Sequence, residues 1–163
     1  MFSNTFSKKR VFVTGHTGFK GSWLSQWLVD LGAEVAGYSV DIPSTPSHFS
    51  LLGLEKQMRH ELGDVRDATK LTRSIQAFKP DFVFHLAAQP LVRLSYDDPR
   101  STFETNVMGT VNVFEAVRAT PSVQVVVNVT SDKCYENVEK RQGYKESDPM
   151  GGKDPYSASK GAA

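Results

Sequence analysis

The chain has 163 residues, of which 39% are hydrophobic and 23% are charged, and its formal net charge is +1. This length suits one ordinary domain, 1–163, and a charge so near zero gives no sign of a nucleic-acid or membrane-surface partner. No apolar run reaches the roughly 18 residues of a membrane span, and the basic cluster at residues 8–10 precedes a run too short for a signal peptide.

Cysteine and histidine usage gives a second set of limits. Cys134 is the single cysteine, so an internal disulfide is excluded, and a reducing cytoplasm fits this composition. The four histidines have no metal-ligand spacing among them, and Cys134 adds none. We therefore predict a cytoplasmic protein without a metal site.

The first third of the chain alternates between strand and helix patterns. Residues 1–9 are predicted to be a loose leader, and residues 10–14 form a short β-branched and aromatic run, typical of a buried strand. A helix should follow between Gly18 and Gly32, because these apolar residues recur at helical spacing: Phe19, Trp23, Leu24, Trp27, Leu28 and Leu31. A second strand is predicted over residues 34–40, before a Pro- and Ser-rich loop with a short helical turn near residue 49.

The same alternation continues to the last residues. A third strand is predicted over residues 57–62, a fourth over 81–87 and a fifth over 122–129. Three helices are predicted to start at Asp67, Asp98-Pro99 and Asp154-Pro155, where a carboxylate can cap the first turn. The helix after Asp98 should be long, with an apolar face of Phe103, Val107, Thr110, Val111, Phe114 and Val117. This order predicts an α/β fold with a doubly wound parallel sheet of the Rossmann type.

The turn after the first strand carries glycines at Gly15, Gly18 and Gly21. Gly15 permits a tight turn, Gly18 lets a pyrophosphate approach the helix N-terminus, and Gly21 lets the helix pack closely on the sheet. Asp41 comes twenty residues after Gly21, where a carboxylate binds a ribose 2′-hydroxyl and repels a 2′-phosphate. The pattern predicts an NAD site, and the alternative for Asp41 is a solvated turn residue.

The remaining motifs occur in the order typical of the extended short-chain dehydrogenase/reductases, which the chain resembles over residues 11–163. They are Gly63-Asp64-Val65-Arg66-Asp67, residues 85–89 (His-Leu-Ala-Ala-Gln), Asn106, Thr130-Ser131-Asp132-Lys133 and Tyr156-Ser-Ala-Ser-Lys160. Within this family, residues 89–96, 131–135 and 151–156 resemble the sugar-nucleotide 4,6-dehydratases that act on CDP-glucose.

The resemblance implies roles for individual residues. Asp64 and Val65 would bind the adenine edge, and Asn106 would brace the active-site helix and the proton relay. The cofactor site would also include Thr17 and Phe19 of the glycine loop, and four residues at the end of the fourth strand: Leu86, Ala87, Ala88 and Gln89. His16 would contact the cofactor or be an ordinary exposed loop histidine. Lys20 would reach the pyrophosphate or the substrate, or be merely solvated.

Tyr156 and Lys160 are four residues apart on a predicted helix and so share one face. The ammonium stabilises a phenolate, which can then take a proton from a sugar hydroxyl that Ser131 orients. Lys160 would also hold the nicotinamide ribose. For the dehydratase reaction, Asp132 in a dry site suits the acid that expels the C6 hydroxyl. Lys133 is the C5 base, an enolate stabiliser or an exposed loop lysine.

Three functions are compatible with these residues. The resemblance implies NAD-dependent 4,6-dehydration of a nucleotide-glucose, with CDP-glucose favoured. An epimerase or 4-reductase would need Tyr156 and Lys160 but no acid/base pair after Ser131, and a non-catalytic dinucleotide-binding module would need neither. Family members run to about twice this length, so we expect the final strands and the sugar-nucleotide domain to be absent, leaving an exposed apolar edge. The resemblance to this family also implies a homodimer that forms through the long helices.

Overall fold

The structure is a computed structural model that describes residues 2–163, and these divide into two compact units. The first unit extends to Ala87 and also includes Asn112–Val129. The second unit comprises Ala88–Val111 and Thr130–Ala163. The predicted single domain over the whole chain stays a prediction.

Five parallel strands form the sheet of the first unit, in the order β3-β2-β1-β4-β5. They are β1 (Arg10–Thr14), β2 (Glu34–Ser39), β3 (Arg59–Leu62), β4 (Phe82–His85) and β5 (Val125–Asn128). Every predicted strand is present, most of them one to four residues shorter than expected. Strands β2 and β3 are added on one side of β1, and β4 and β5 on the other side, so the strand order reverses between β1 and β4, as in a doubly wound fold. The predicted fold class is confirmed.

The helices of the first unit connect these strands. They are α1 (Phe19–Asp30), α2 (His48–Leu51), α3 (Ala68–Phe78) and, from Asn112 onward, the helix Gly109–Arg118 that precedes β5. Asp67 caps α3 as predicted, since its carboxylate accepts from the Lys70 N–H at 2.9 Å. Val125 and Val127 of the edge strand β5 are 44% and 39% exposed, as expected for an apolar edge.

Both faces of the sheet carry buried apolar residues, because successive side chains of a strand point to opposite sides. One cluster contains Phe12 and Val83 of the sheet with Leu71 and Ile75 of α3. The other contains three strand valines, Val11, Val13 and Val35, with Leu28 of α1. The central strand β1 therefore buries consecutive residues, Val11, Phe12 and Val13, as in sheets covered on both sides.

The orientation of α1 confirms part of the predicted apolar face, since Leu28 is buried, and contradicts the rest of it. Its buried residues are Gly21, Ser22, Ser25 and Leu28, whereas Phe19, Trp23 and Trp27 are 72%, 55% and 46% exposed. The physical reason is close packing on the glycine loop, where a Cβ on Gly21 would lie 2.0 Å from the Gly15 carbonyl oxygen. The Ser22 hydroxyl also donates to the Gly18 carbonyl at 2.8 Å. Only small residues fit against this loop, so the large rings face outward.

The N-terminal segment is also not the loose leader that was predicted, apart from Met1, which lies outside the described residues. The ring of Phe6 packs against Phe82 of β4, with 5.3 Å between ring centroids. The Lys8 N–H donates to the Gly32 carbonyl at 2.8 Å, and the Lys9 ammonium pairs with Asp81 at 3.2 Å. This segment lies against the sheet because packing of the Phe6 ring on Phe82 removes apolar surface from water.

The second unit is built from helices and a long loop. The helices are α4 (Val92–Asp97), α5 (Pro99–Phe103), a π-helical segment (Glu104–Met108), the first residues of α6 (Gly109–Arg118) and α7 (Pro155–Ala162). Asp98 and Asp154 cap α5 and α7 as predicted, accepting from the N–H groups of Ser101 and Ser157 at 3.0 and 2.9 Å.

The predicted apolar face of the long helix is wrong for several residues. Thr110 is buried as predicted, but Thr102 and Asn106 are buried as well, whereas Phe103 and Val111 are 40% and 44% exposed. The hydroxyls of Thr102 and Thr110 can be buried because each donates to a carbonyl four residues earlier, at 2.9 and 2.7 Å. Hydropathy alone therefore misplaced the buried side.

Candidate cofactor and catalytic site

The glycine loop after β1 has the backbone geometry of an anion-binding turn. Gly15 has a φ of +74°, and a Cβ there would lie 2.8 Å from the Ala87 nitrogen, so only glycine fits. The Gly15 N–H donates to the Tyr38 carbonyl at 2.9 Å, and the Gly18 N–H donates to the Gly15 carbonyl at 3.2 Å. The loop therefore lies directly on the carboxyl ends of β2 and β4.

The N-terminus of α1 is open to a ligand. Gly18 is its N-cap residue, and no side chain caps the helix there. The first N–H groups of a helix have no internal acceptor, and together with the helix dipole they favour a phosphate group. A Cβ on Gly18 would meet only the Gly15 carbonyl oxygen, at 3.4 Å, so the outer side of this glycine is clear. These residues fit a dinucleotide pyrophosphate.

Thr17 and Asp41 are joined at the end of β2. The buried Thr17 hydroxyl donates to the Asp41 carbonyl at 2.7 Å, and the Thr17 N–H donates to the Ser39 hydroxyl at 3.3 Å. Asp41 itself is exposed, and its carboxylate has no hydrogen bond or ion pair within residues 2–163. Thr17 therefore positions the backbone, and the Asp41 carboxylate is available to a ribose hydroxyl.

Asp64 and Val65 follow β3 in different environments. The Asp64 carboxylate accepts from the Arg66 N–H and Nε, both at 2.9 Å, and pairs with its Nη2 at 2.6 Å. Hydrogen bonding to Arg66 lowers the pKa of Asp64. Val65 is only 4% exposed, and its carbonyl accepts from the Asn112 side chain at 2.9 Å. Asp64 can offer a partly exposed carboxylate to a base, whereas the Val65 side chain belongs to the core.

Leu86 and Ala87 are fixed by a residue that sequence reasoning missed. The buried Thr14 hydroxyl accepts from the N–H groups of both residues at 3.1 Å. The same hydroxyl lies 2.7 Å from Nδ1 of His85, and because it already accepts twice, its own proton goes to that nitrogen. The sequence signal for this role was a threonine as the last residue of β1.

His16 is not an exposed loop residue. Its ring is fully buried, with Nδ1 2.8 Å from the Ser39 hydroxyl and Nε2 2.7 Å from Nδ1 of His60. A Cβ on Gly37 would lie 2.2 Å from the His16 ring, so this glycine makes room for it. Burial, with a smaller contribution from His60, lowers the pKa of His16 to about 4. His16 therefore anchors the loop to the sheet and does not face a ligand.

Asn106 joins two parts of the second unit. It is 1% exposed, within the π-helical segment. Its side-chain oxygen accepts from the Gln89 N–H at 2.8 Å, and its nitrogen donates to the Gln89 carbonyl at 3.1 Å and to the Ser159 hydroxyl of α7 at 2.8 Å. The predicted contact between Asn106 and the helix of Tyr156 is present. The half-buried Ala88 precedes this junction, and the Gln89 side chain donates to the Thr102 hydroxyl at 2.9 Å.

Tyr156 and Lys160 lie one turn apart on α7, and both are half-buried. The Tyr156 N–H donates to the buried Ser95 hydroxyl at 3.1 Å, which ties the start of α7 to α4. A Cβ on Gly152 would lie 2.3 Å from the Ala158 nitrogen, so the preceding loop passes close to α7. These contacts fix the helix that carries the two residues.

Ser131, Asp132 and Lys133 follow β5 in a short 3₁₀ turn. The Ser131 hydroxyl donates to the Asp132 carboxylate at 3.2 Å and accepts from the Lys133 N–H at 3.2 Å. The Lys133 ammonium is 3.9 Å from the Asp132 carboxylate, and these side chains are 51% and 75% exposed. Residues 2–163 therefore do not supply the dry surroundings that a protonated Asp132 would need.

Two further properties concern the described residues as a whole. Among residues 2–163, no helix is long and apolar enough to cross a membrane. The same residues contain no group of three or more His, Cys, Asp or Glu side chains placed to hold a metal ion.

The sheet order, the glycine loop and the Tyr-x-x-x-Lys helix define a protein of the extended short-chain dehydrogenase/reductase class. More narrowly, the chain belongs to the family described as GDP-mannose 4,6 dehydratase, whose model matches residues 12–163.

A curated relative and two solved structures show how far this similarity extends. The CDP-glucose 4,6-dehydratase of Salmonella typhimurium is 58% identical over 160 residues, covering 98% of this chain and 45% of the relative. The UDP-glucose 4-epimerase of Thermus thermophilus in complex with NAD has a TM-score of 0.81 at 33% identity, covering 94% of this chain and 48% of that one. DesIV, a dTDP-glucose 4,6-dehydratase from Streptomyces venezuelae with NAD and TYD bound, has a TM-score of 0.81 at 29% identity, with coverages of 94% and 48%. The chain spans about half the length of the relatives it matches.

Proposed function

We propose that the protein carrying this chain is an NAD-dependent 4,6-dehydratase of a nucleotide-glucose, with CDP-glucose as the favoured substrate. The observation that carries the proposal is the 58% identity, over nearly the whole chain, to a CDP-glucose 4,6-dehydratase. The reaction oxidises C4 of the sugar, eliminates water between C5 and C6, and reduces C6, so the product is a 4-keto-6-deoxy sugar nucleotide.

The cofactor part of the proposal rests on the glycine loop and Asp41. The open N-terminus of α1 fits a pyrophosphate, and the unpaired Asp41 carboxylate favours two ribose hydroxyls over a 2′-phosphate. The bound NAD would supply the hydride acceptor for the oxidation at C4 and the hydride donor for the reduction at C6. Leu86 and Ala87, held by Thr14, would form the adjoining wall, and Asp64 would contact the adenine.

Residues of the second unit carry out the proton transfer that accompanies the oxidation at C4. Lys160, one turn after Tyr156, stabilises the Tyr156 phenolate, and this phenolate takes the proton of the C4 hydroxyl to become the neutral phenol. Ser131 orients the same sugar oxygen with its hydroxyl. Asn106 acts as a positioning residue, because its bond to Ser159 holds α7 against the loop at Gln89.

The elimination step requires a further acid and a further base. Asp132 gives a proton to the departing C6 hydroxyl, and Lys133 takes the C5 proton or stabilises the enolate. Their high exposure in the described chain implies that bound substrate, or other parts of the protein, must exclude water from this pair. A 4-epimerase would need no such pair, and it is the second candidate because the UDP-glucose 4-epimerase of Mycolicibacterium smegmatis is 36% identical over 93% of this chain.

We also propose a homodimer through the long helical segment and a cytoplasmic location. Phe103, Met108 and Val111 are 40%, 51% and 44% exposed along that segment, and exposed apolar faces of this kind mark protein contacts. Cys134 is a free thiol, which fits a reducing compartment.

The experiment that tests the function compares two variants of the native, full-length protein on a panel of nucleotide-glucoses. Asp132→Asn should allow reduced nicotinamide to accumulate but lower 4-keto-6-deoxy product formation by about 100- to 10,000-fold, the usual contribution of a general acid. Tyr156→Phe should block the first step, the reduction of the nicotinamide. Absorbance of the reduced nicotinamide follows the first step, and mass analysis of product made in deuterated water follows the second.

Asp97→Asn is the matched control, because it removes a carboxylate charge at another exposed position. Lys133→Met should abolish deuterium incorporation at C5 if Lys133 is the base. Equal loss of both steps in Asp132→Asn, or no dehydration of any nucleotide-glucose by the unmodified protein, would favour the epimerase.

A further inference from the structure

Helix α1 carries a row of large aromatic side chains on its outer surface. Phe19, Trp23 and Trp27, here named the aromatic stripe, are 72%, 55% and 46% exposed. Residues four apart lie on one side of a helix, so the three rings form one continuous row. Both tryptophans of the chain belong to this row.

The core of the first unit does not require these rings. The inner side of α1 is filled by Gly21, Ser22, Ser25 and Leu28, which allow the helix to approach the glycine loop. At roughly 200 Å² for a fully exposed aromatic side chain, the stripe presents on the order of 350 Å² of apolar surface. An apolar patch of this size on one element usually marks an interaction surface.

Neighbouring rings support the stripe from the sides without covering it. The Phe2 ring packs edge-on against Trp27, with centroids 5.3 Å apart, and the His48 ring lies 4.6 Å from Trp23. Each indole is thus held by a neighbour and still about half exposed. A supported aromatic side chain loses less conformational entropy on binding than a free one.

The charges at the two ends of α1 indicate what occupies this surface. Lys20 and Asp30 are both exposed, one in the first turn of the helix and the other at its last residue. When two copies of one helix pack antiparallel about a two-fold axis, the residue numbers of facing positions add up to a constant. The register that places Trp23 against Trp27 of the partner subunit also places Lys20 against Asp30 of the partner subunit. Two-fold symmetry produces each contact twice.

We propose that the aromatic stripe is a docking surface for a second copy of this chain, formed by antiparallel pairing of two α1 helices. The two stripes together would bury on the order of 700 Å² of aromatic surface, which is below a standard stable interface. The pairing therefore forms a weaker contact whose strength depends on the four indole rings at its centre and on one ion pair at each end. It uses a different helix from the dimer contact proposed above.

The test measures subunit number by sedimentation equilibrium of the native, full-length protein, without cofactor. Trp23→Glu and Trp27→Glu should each remove one association step or weaken it at least tenfold. Leu62→Glu is the control, because it places the same charge on an apolar side chain that is 49% exposed on β3, outside the stripe. Asp30→Lys should also weaken association, since Lys20 then faces a lysine, and adding Lys20→Asp should restore it.

A second measurement uses the unmodified protein and so does not depend on variants folding. Oxidative footprinting read by mass spectrometry should show Trp23 and Trp27 becoming protected as protein concentration rises. Protection that is constant at all concentrations would mean that the rest of the same polypeptide covers the stripe, and constant full exposure would mean that nothing does. Either result, or an unchanged subunit number in both tryptophan variants, overturns the proposal.

Discussion

Acid sensitivity of the first unit should depend on His16. Replacing His16 with Asn removes a buried imidazole that contacts Ser39 and His60 beneath the glycine loop. Burial lowers the pKa of His16 from 6.5 to about 4, so the folded state holds this ring neutral. Below pH 6.5 the unfolded chain binds a proton that the folded chain excludes, and stability must therefore fall as the pH falls.

The size of the effect follows from this difference in pKa. Each unit of pKa difference corresponds to about 1.4 kcal/mol between the two protonation states. For a depression from 6.5 to about 4, the unmodified protein should lose about 2 kcal/mol between pH 7 and pH 5 through His16, on an order-of-magnitude scale. The loss should continue down to about pH 4 and then level off, because both states are protonated below that pH.

The assay is urea unfolding at several pH values between 4 and 7, comparing the unmodified protein with His16→Asn. The variant should be less stable at pH 7, because it leaves hydrogen-bond partners buried, but its stability should depend less on pH. Carboxylates elsewhere titrate in both proteins, so the difference between the two curves isolates His16. His48→Asn serves as the control, as it changes a histidine that is only half-buried. Parallel pH profiles for the unmodified protein and His16→Asn would refute this reasoning.

Three other changes give independent tests. Asp41→Ala should reduce the ratio of NAD affinity to NADP affinity by roughly fivefold, since one exposed charge contact is worth about 1 kcal/mol. If the unmodified protein bound NADP more tightly than NAD, the role given to Asp41 would be wrong. Asn106→Ala breaks three hydrogen bonds and should lower both the thermal stability and kcat. An unchanged kcat would show that Asn106 does not position the catalytic helix. Gly21→Ala forces a Cβ to 2.0 Å from the Gly15 oxygen and should cost at least 1–3 kcal/mol in urea unfolding, unlike Gly143→Ala, where the space is open.

Local sequence determined the order of elements and most of their starts. Asp67, Asp98 and Asp154 were recognisable as helix caps because capping depends on a side chain reaching an N–H only three residues away. The glycine loop was equally readable, since Gly15 needs a positive φ whatever surrounds it. The motif order also carried the family resemblance, because the motifs other than Asn106 follow a strand end or lie at the start of a helix.

Tertiary structure decided which residues of α1 face inward. The apolar pattern of α1 correctly included the buried Leu28, but it also included Phe19, Trp23 and Trp27, which are exposed because the helix approaches Gly15 so closely that only glycine and serine fit there. His16 and Thr14 were likewise beyond prediction, because their partners, His60 and the end of β4, are more than forty residues away in the chain. Hydrophobic periodicity records how apolar a face is, whereas burial depends on the distance that neighbouring backbones leave for a side chain.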